Sequence, residues 1–427
     1  MTKMTRRTFG LLSGAATFSL ALPTYLRAQD RPKVVVIGGG AGGATAARYI
    51  AKDSEGAVDV TLIEANPQYT TCFFSNLYLG GFRSFQSITH SYDVLASNFG
   101  ISVVTGMADA IDREAREVVM ADGSRVPYDR LVVSPGIDLI WDSVPGYSEE
   151  AAEIMPHSWK AGPQTRLLKE KLDAIENGQQ IVMVAPPNPY RCPPGPYERV
   201  SMFAHILSSK GYTDAKIVVL DPKSKFSKQA LFQEGWEKHY PGMVEWYGPD
   251  VHGGIKGVDP STGSVETDFD TFKGDLVNVI PAQKAGEIAQ KAGLANDTGF
   301  CPIDPESMRS TMDENIFVLG DACIAGDMPK SAFSANSQAK VAAMNVRGDL
   351  TESKVFPARY ANTCWSLIAT DDGVKVGAQY APTEEKIAST TSFISQTGED
   401  SALRKATYEE SLGWYAGITS DIFGRQG

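Results

Sequence analysis

The sequence contains no C-x-x-C-H motif, so no c-type haem is attached to this chain. Its five cysteines, Cys72, Cys192, Cys301, Cys323 and Cys364, are scattered without zinc-type spacing, and no metal site is expected. Beyond the N-terminal segment no stretch has the length of a spanning helix, which needs about 20 apolar residues. Positive charge is in deficit: 40 Lys and Arg face 51 Asp and Glu, a net charge of −11. That disfavours nucleic acid and anionic membrane surfaces; it keeps the chain soluble and suits a partner with a basic docking face. Internal repeats and low-complexity tracts are also missing. What remains is a 427-residue chain, 42% hydrophobic and 21% charged, with the balance of a globular protein and the length of two or three domains.

The N-terminus reads MTKMTRRTFGLLSGAATFSLALPTYLRAQD. A charged start, a short apolar run and Leu26-Arg27-Ala28 make a signal-peptide pattern over residues 1–28. T-R-R-x-F-G-L resembles a twin-arginine signal, the alternative being an ordinary secretory signal with a chance Arg pair. The mature chain is therefore expected in the periplasm, with no integral membrane insertion. That compartment permits disulfides. The odd cysteine count leaves at least one cysteine outside such pairing.

PKVVVIGGGAGGATAARYIAK, from Pro32, reads as strand, glycine turn and helix. Gly38, Gly40 and Gly43 give G-x-G-x-x-G, and small residues follow on the helix face that must approach the sheet. The next strand, VDVTLIEAN, ends in Glu64-Ala65, with Glu64 at 64 − 43 = 21 residues after Gly43. An acid at that distance binds a ribose hydroxyl, while the pyrophosphate sits at the helix N-terminus. Later, VPYDRLVVSPG closes a strand on Pro135-Gly136 and NIFVLGDACIAG closes another on Gly320-Asp321. Together these segments resemble the fingerprints of glutathione-reductase-like FAD domains. The resemblance implies that the Asp321 carboxylate binds the flavin ribitol chain. It also implies that a helix over about 334–346 aims its N-terminus at the flavin's pyrimidine end.

The expected fold is α/β, with two Rossmann-like dinucleotide-binding domains of glutathione-reductase type and a C-terminal interface domain. The FAD-binding domain is split over residues 32–156 and 277–354, around an inserted degenerate NAD-like domain at 157–276. An aromatic-rich capping domain covers 355–427. The insertion carries helix, strand, helix and strand in TRLLKEKLDAIENG, IVMVA, ERVSMFAHILSSKG and AKIVVLD, a βαβ unit. Its first strand runs into PPNPYRCPPGPYERV where a phosphate-binding glycine loop belongs. Proline removes N–H donors and fixes φ. A pyrophosphate cradle needs free N–H groups, so no NAD(P)H binding is expected. The loop is instead a stiff platform that holds Cys192.

At QYTTCFFSNLYLGG, RCPPGPYERVS and NTCWSLIATDDG the chain resembles the flavoprotein subunit of flavocytochrome c sulfide dehydrogenase, among the sulfide:quinone-oxidoreductase-like flavoproteins. The resemblance runs to the C-terminal GWYAGITSDIFG. Tyr69 to Asn76 match the pattern Y-x-T-C-x-x-S-N, which implies covalent FAD, bound from the Cys72 sulfur to the flavin 8α-methyl carbon. Cys192 and Cys364 match the redox-active cysteine pair, and Glu198 matches the active-site glutamate. Cys301 and Cys323 match cysteines common in the family, either free thiols or a second disulfide. Lys330, in MPKSAFSANSQAKVAA, is placed near the flavin N1 and C2 carbonyl or on the surface.

The implied activity is oxidation of hydrosulfide to sulfur or polysulfide through a Cys192–Cys364 disulfide, with electrons passed to a c-type cytochrome subunit in a heterodimer. A raised Glu198 pKa would let that carboxyl move protons near neutral pH. Two other readings share the cysteines: a sulfide:quinone oxidoreductase, and an accessory flavoprotein that reactivates thiols in a thiosulfate-oxidising system.

Overall fold

A strand flanked on both sides must be apolar on both faces, and Lys33–Ile37 (β1) is buried from Val34 to Ile37. Each such side chain contributes about 1.5–3 kcal/mol on burial. β1 pairs in parallel with Asp59–Glu64 (β2), which pairs with Ser102–Thr105 (β3). On its other side β1 pairs with Arg130–Val133 (β4). A second parallel sheet follows, formed by Gln180–Val184 (β5), Lys216–Leu220 (β6), Val244–Tyr247 (β7) and Leu276–Val279 (β8) in the order β7-β6-β5-β8. The chain then returns to the first sheet, where Ile316–Val318 (β9) completes the order β9-β4-β1-β2-β3. Tyr360–Ala369 (β10), Asp372–Pro382 (β11) and Ile387–Ile394 (β12) form an antiparallel sheet of their own. The computed structural model describes residues 31–425, so the expected signal peptide lies outside them. From Pro32 onward the chain is one unit.

Helix Gly43–Asp53 (α1) follows the glycine turn and buries Ala44, Ala46 and Ala47 completely. These small side chains let it approach helix Ala332–Thr351, and Asn336 Nδ2 reaches Thr45 Oγ1 at 2.9 Å between the two. That helix is longer at both ends than the expected 334–346. Ser331 caps it by accepting the Ser334 N–H at 3.0 Å. A second difference concerns the end of the inserted region. The boundary expected at 276/277 cuts β8, which pairs with β5 from Ile181↔Leu276 to Val184↔Val279. An apolar run does not declare which of two parallel sheets it joins; only the pairing does.

The proline loop passes directly into helix Gly195–Ser209, with Pro194 at its cap and Pro196 in its first turn, where an N–H is not required. The nucleotide cleft of this second sheet is filled by the chain itself. Asp221, at the end of β6, is fully buried. Its carboxylate accepts from Tyr197 Oη at 2.6 Å and Trp246 Nε1 at 3.0 Å, and pairs with Lys223 Nζ at 2.7 Å. Tyr197 in turn stacks on Phe226 with ring centroids 3.6 Å apart. In a dinucleotide fold an acid at this strand end binds ribose; here its lone pairs are committed to side chains. Asp221→Ala leaves the half-buried Lys223 ammonium with the Pro186 carbonyl but no counter-charge, and removes the acceptor of the Tyr197 and Trp246 donors. It is expected to lower the unfolding free energy by about 3–5 kcal/mol in denaturant titrations, with Lys223→Met in the same chain recovering part of the loss.

Candidate active site

The glycine turn, the β2 end and the two later turns face one cavity of about 1180 Å³. Gly38, Gly40, Glu64, Ala65, Cys72, Pro135, Gly136, Gly320 and Asp321 all line it. Gly43 does not; it is the first residue of α1, and a Cβ there would lie 1.9 Å from the Gly38 carbonyl oxygen. Gly38 has φ +97, and its Cβ would meet Ser134 O at 2.2 Å. Only glycine lets strand and helix approach so closely. Glu64 also holds the turn, since Oε2 accepts the Gly39 N–H at 2.6 Å. Asp321 Oδ1 is buried without a hydrogen-bond partner, and burial pushes its carboxyl up against the opposing Arg191 and Lys330. An orphaned carboxylate oxygen, a helix N-terminus and a glycine cradle in one large cavity are the donor and acceptor set that FAD requires.

Cys72 also lines a smaller cavity of about 80 Å³, and Cys192, Glu198 and Cys364 line it too. Four residues separated by up to 292 positions (364 − 72) thus meet at one place. Cys192 sits at the turn before the Gly195–Ser209 helix with φ +58; its N–H donates to Lys330 O at 2.8 Å, and its carbonyl accepts from Gly195 N at 2.8 Å. Cys364 is carried by β10, and Asn362 Nδ2 donates to its sulfur at 3.4 Å. The disulfide expected between Cys192 and Cys364 is not formed: all five cysteines are free thiols. A dithiol and a disulfide differ by two electrons and two protons, so cysteines that share a cavity can be read in either form. Trp365 and Trp414, ring centroids 5.0 Å apart, wall the cavity with Phe333 and Trp159.

Glu198 holds this assembly together. Its Oε2 accepts from Asn76 Nδ2 at 2.9 Å and its Oε1 from the Leu367 N–H at 2.9 Å. Burial pushes its carboxyl above the usual carboxylate range, against the two hydrogen bonds and the nearby Lys228 and Arg199. Arg199 beside it is buried among neutral acceptors: Asn76 Oδ1, the His157 and Ser158 carbonyls and Asn278 Oδ1. Burial brings its guanidinium down to about 9.

Lys330 is half-buried and not a surface lysine. Its Nζ donates to the Asp321 and Cys323 carbonyls, both at 2.8 Å, and sits 3.8 Å from the Phe300 ring centroid. The cation that lines both cavities is Arg191, whose guanidinium donates to the Trp159 carbonyl and lies 3.6 Å from Asp321 Oδ2. Its sequence signal was only its place beside Cys192. Cys301 and Cys323 are buried and paired in register on short parallel strands away from these cavities. Among the described residues no His, Cys, Asp and Glu group is disposed to hold a metal ion. Asn76 and Arg199 stood inside the matched segments without an assigned role, and Lys228 carried no signal that separated it from an ordinary polar residue.

A carboxyl whose folded pKa is raised contributes stability that is complete below the unfolded value, about 4.3, and is lost as pH rises through the folded value. The thermal stability of the protein relative to Glu198→Gln is therefore expected to fall as pH is raised from about 4 to 7. Melting curves at a series of pH values check this; a constant difference would remove Glu198 as a buried proton carrier.

Comparison with known proteins agrees with this geometry. The family described as pyridine nucleotide-disulphide oxidoreductase matches residues 32–180. Sulfide dehydrogenase (flavocytochrome c) flavoprotein chain, central, matches 165–281, and flavocytochrome c sulphide dehydrogenase, flavin-binding, matches 356–423. The sulfide-quinone reductase of Aquifex aeolicus is 24% identical over 89% of this chain and 90% of its own. The sulfide dehydrogenase (flavocytochrome c) flavoprotein chain of Chlorobaculum thiosulfatiphilum is 48% identical over 44 residues, 10% of this chain and 90% of that sequence. The crystal structure of the Aquifex aeolicus sulfide:quinone oxidoreductase superposes with a TM-score of 0.69 at 18% identity, covering 92% of this chain and 93% of that one. Two parallel nucleotide-type sheets, a cysteine at the cofactor cavity and a cysteine pair beside it accord with these matches: the chain belongs to the sulfide:quinone-oxidoreductase-like flavoproteins of the flavocytochrome c sulfide dehydrogenase type.

Proposed function

We propose that this chain is a periplasmic FAD-dependent sulfide dehydrogenase that oxidises hydrosulfide to sulfur or polysulfide and passes the electrons to a c-type cytochrome subunit. The observation that carries the reading is the convergence of Cys72, Cys192, Cys364 and Glu198 on a small cavity that adjoins the dinucleotide cavity. Cys72 would anchor FAD through a thioether, with Glu64, the glycine turn and Asp321 holding its nucleotide and ribitol parts. When bound, FAD supplies a two-electron acceptor that can release electrons singly.

The chain's own residues do the rest. Hydrosulfide forms a bond to one sulfur of an oxidised Cys192–Cys364 pair while the pair's own bond breaks, which leaves a persulfide and a thiolate. The aromatic walls keep water from the persulfide. Glu198, oriented by the Asn76 and Leu367 donors and with a raised pKa, can carry a proton on a lone pair those donors leave free and give it to a sulfur anion in the same cavity. The filled cleft around Asp221 and the proline loop support an enzyme that takes no electrons from NAD(P)H. The net charge of −11 suits a basic haem partner.

Transfer to a quinone is the second reading, favoured by the similarity to the Aquifex aeolicus enzyme over most of both chains. Among the described residues no helix is long and apolar enough to cross a membrane. Two measurements on the purified protein decide. Its yellow colour is expected to remain with the acid-precipitated chain and to be released from Cys72→Ala. Anaerobic sulfide, and not NADH, is expected to bleach it, with reoxidation by cytochrome c faster than by a soluble quinone. Flavin freed from the wild-type precipitate together with faster quinone reduction would favour the second reading, and bleaching by NADH would refute the proline-loop argument.

A further inference from the structure

Lys228 lies far in sequence from every motif, yet it is 5% exposed. It precedes helix Gln229–His239 with φ +62, a left-handed backbone that residues other than glycine adopt rarely. Such a backbone persists where surrounding contacts over-determine it. Here the contacts are with β10: Nζ donates to the Cys364 carbonyl at 3.1 Å and to Ser366 Oγ at 2.8 Å. Both partners are neutral, so neither hydrogen bond cancels the ammonium charge. The titratable groups that act on it are Cys364, then Glu198 and Cys192, while Phe232 lies 5.8 Å away.

The surroundings of the two sulfurs are unequal. Asn362 Nδ2 donates to Cys364 Sγ at 3.4 Å, and Ser331 Oγ in turn donates to Asn362 Oδ1 at 2.5 Å; Lys228 and Glu198 are the charged neighbours of that sulfur. Burial pushes the Cys364 thiol up, with Asn362, Lys228 and Ser331 pulling it back. Cys192 is pushed higher, with Cys364, Glu198 and Cys72 adding to burial and Lys228 opposing. Arg191 and Arg199 act on Cys192, whereas Asn362 and Lys228 act foremost on Cys364.

We propose that Lys228 is a positioning residue for the sulfur chemistry: its ammonium, pinned to the strand that carries Cys364, holds negative charge on that sulfur whenever the Cys192–Cys364 pair is open. The proposal rests on the reading that these two cysteines are the reacting pair. When hydrosulfide opens the pair, one negative charge passes from substrate to the cysteine sulfurs. In a buried cavity that charge is costly unless a cation faces it. Lys228 provides the cation through the Cys364 carbonyl and Ser366, without occupying the space the substrate needs. Burial brings its own pKa down to about 8, so the ammonium persists below that pH and its effect fades above it.

The test uses the full-length flavoprotein, reduced and free of sulfide, in a Cys192→Ser background. The pH dependence of iodoacetamide alkylation at Cys364 is read by peptide mass spectrometry. Lys228→Gln and Lys228→Met are expected to slow alkylation at pH 7 by about tenfold or more, a difference that narrows above about pH 8 as Lys228 itself loses its proton. Lys228→Arg keeps the charge and the parent rate at pH 7. A lysine with a merely structural role would lower melting temperatures and leave the rate at pH 7 unmoved; that result in either neutral variant overturns the proposal. If neither folds, Ser366→Ala, which removes one of the two acceptors that pin the ammonium, must slow alkylation at pH 7, and an unchanged profile overturns it equally. Because no sulfide is present, failure here is distinct from failure of the sulfide-dehydrogenase reading, which appears as absence of bleaching by sulfide.

Discussion

One buried carboxylate ties the molecule together at its centre. Glu198 accepts from Asn76 in the segment that carries Cys72 and from the Leu367 N–H on the strand that carries Cys364, while its own helix begins three residues after Cys192. Three remote stretches of chain are fixed to the same two oxygens. Arg199, the next residue, extends the node to Asn278 on β8 and to the 157–158 segment that enters the second domain. An unmet bond in such a network leaves a buried polar group without water, which is why it specifies one arrangement so strongly. The positions of the three sulfurs around the small cavity follow from it.

The second sheet shows how a nucleotide fold is turned to another task. Strand order and helix placement are kept, but the loop that would cradle phosphate is stiffened by proline and the acid at the end of β6 is consumed by Tyr197, Trp246 and Lys223. What the loop gains is a rigid presentation of Arg191 and Cys192. The guanidinium lines both cavities and the thiol lines the small one. Preorganisation of this kind needs a short segment held at both ends, and the Lys330 carbonyl and the following helix supply the two anchors.

Electrostatically, the two cavities are a cluster of buried ionisable groups that oppose one another. Burial raises the cysteines, Asp321 and Glu198, while Arg191, Lys228 and Arg199 lower them; burial pulls Lys228 and Arg199 toward neutrality, whereas the anionic neighbours of Arg191 hold it charged. Groups so balanced change protonation at small cost, a property suited to moving protons and electron pairs together.

Local pattern determined much of this protein. The glycine turn with Glu64 at its spacing, the buried apolar strands, the prolines around Cys192 and the Gly320-Asp321 turn each bear a signal within a few residues, because each depends on backbone geometry that nearby residue types dictate. The extent of the second sheet at β8, the place of Lys330 and the roles of Asn76, Arg191, Arg199 and Lys228 were decided only by tertiary structure. A strand does not encode which sheet it joins, nor a long polar side chain which carbonyl, sulfur or carboxylate it meets. Those choices arise where segments hundreds of residues apart are buried together, and burial is what converts an ordinary lysine or glutamate into a group with a perturbed charge.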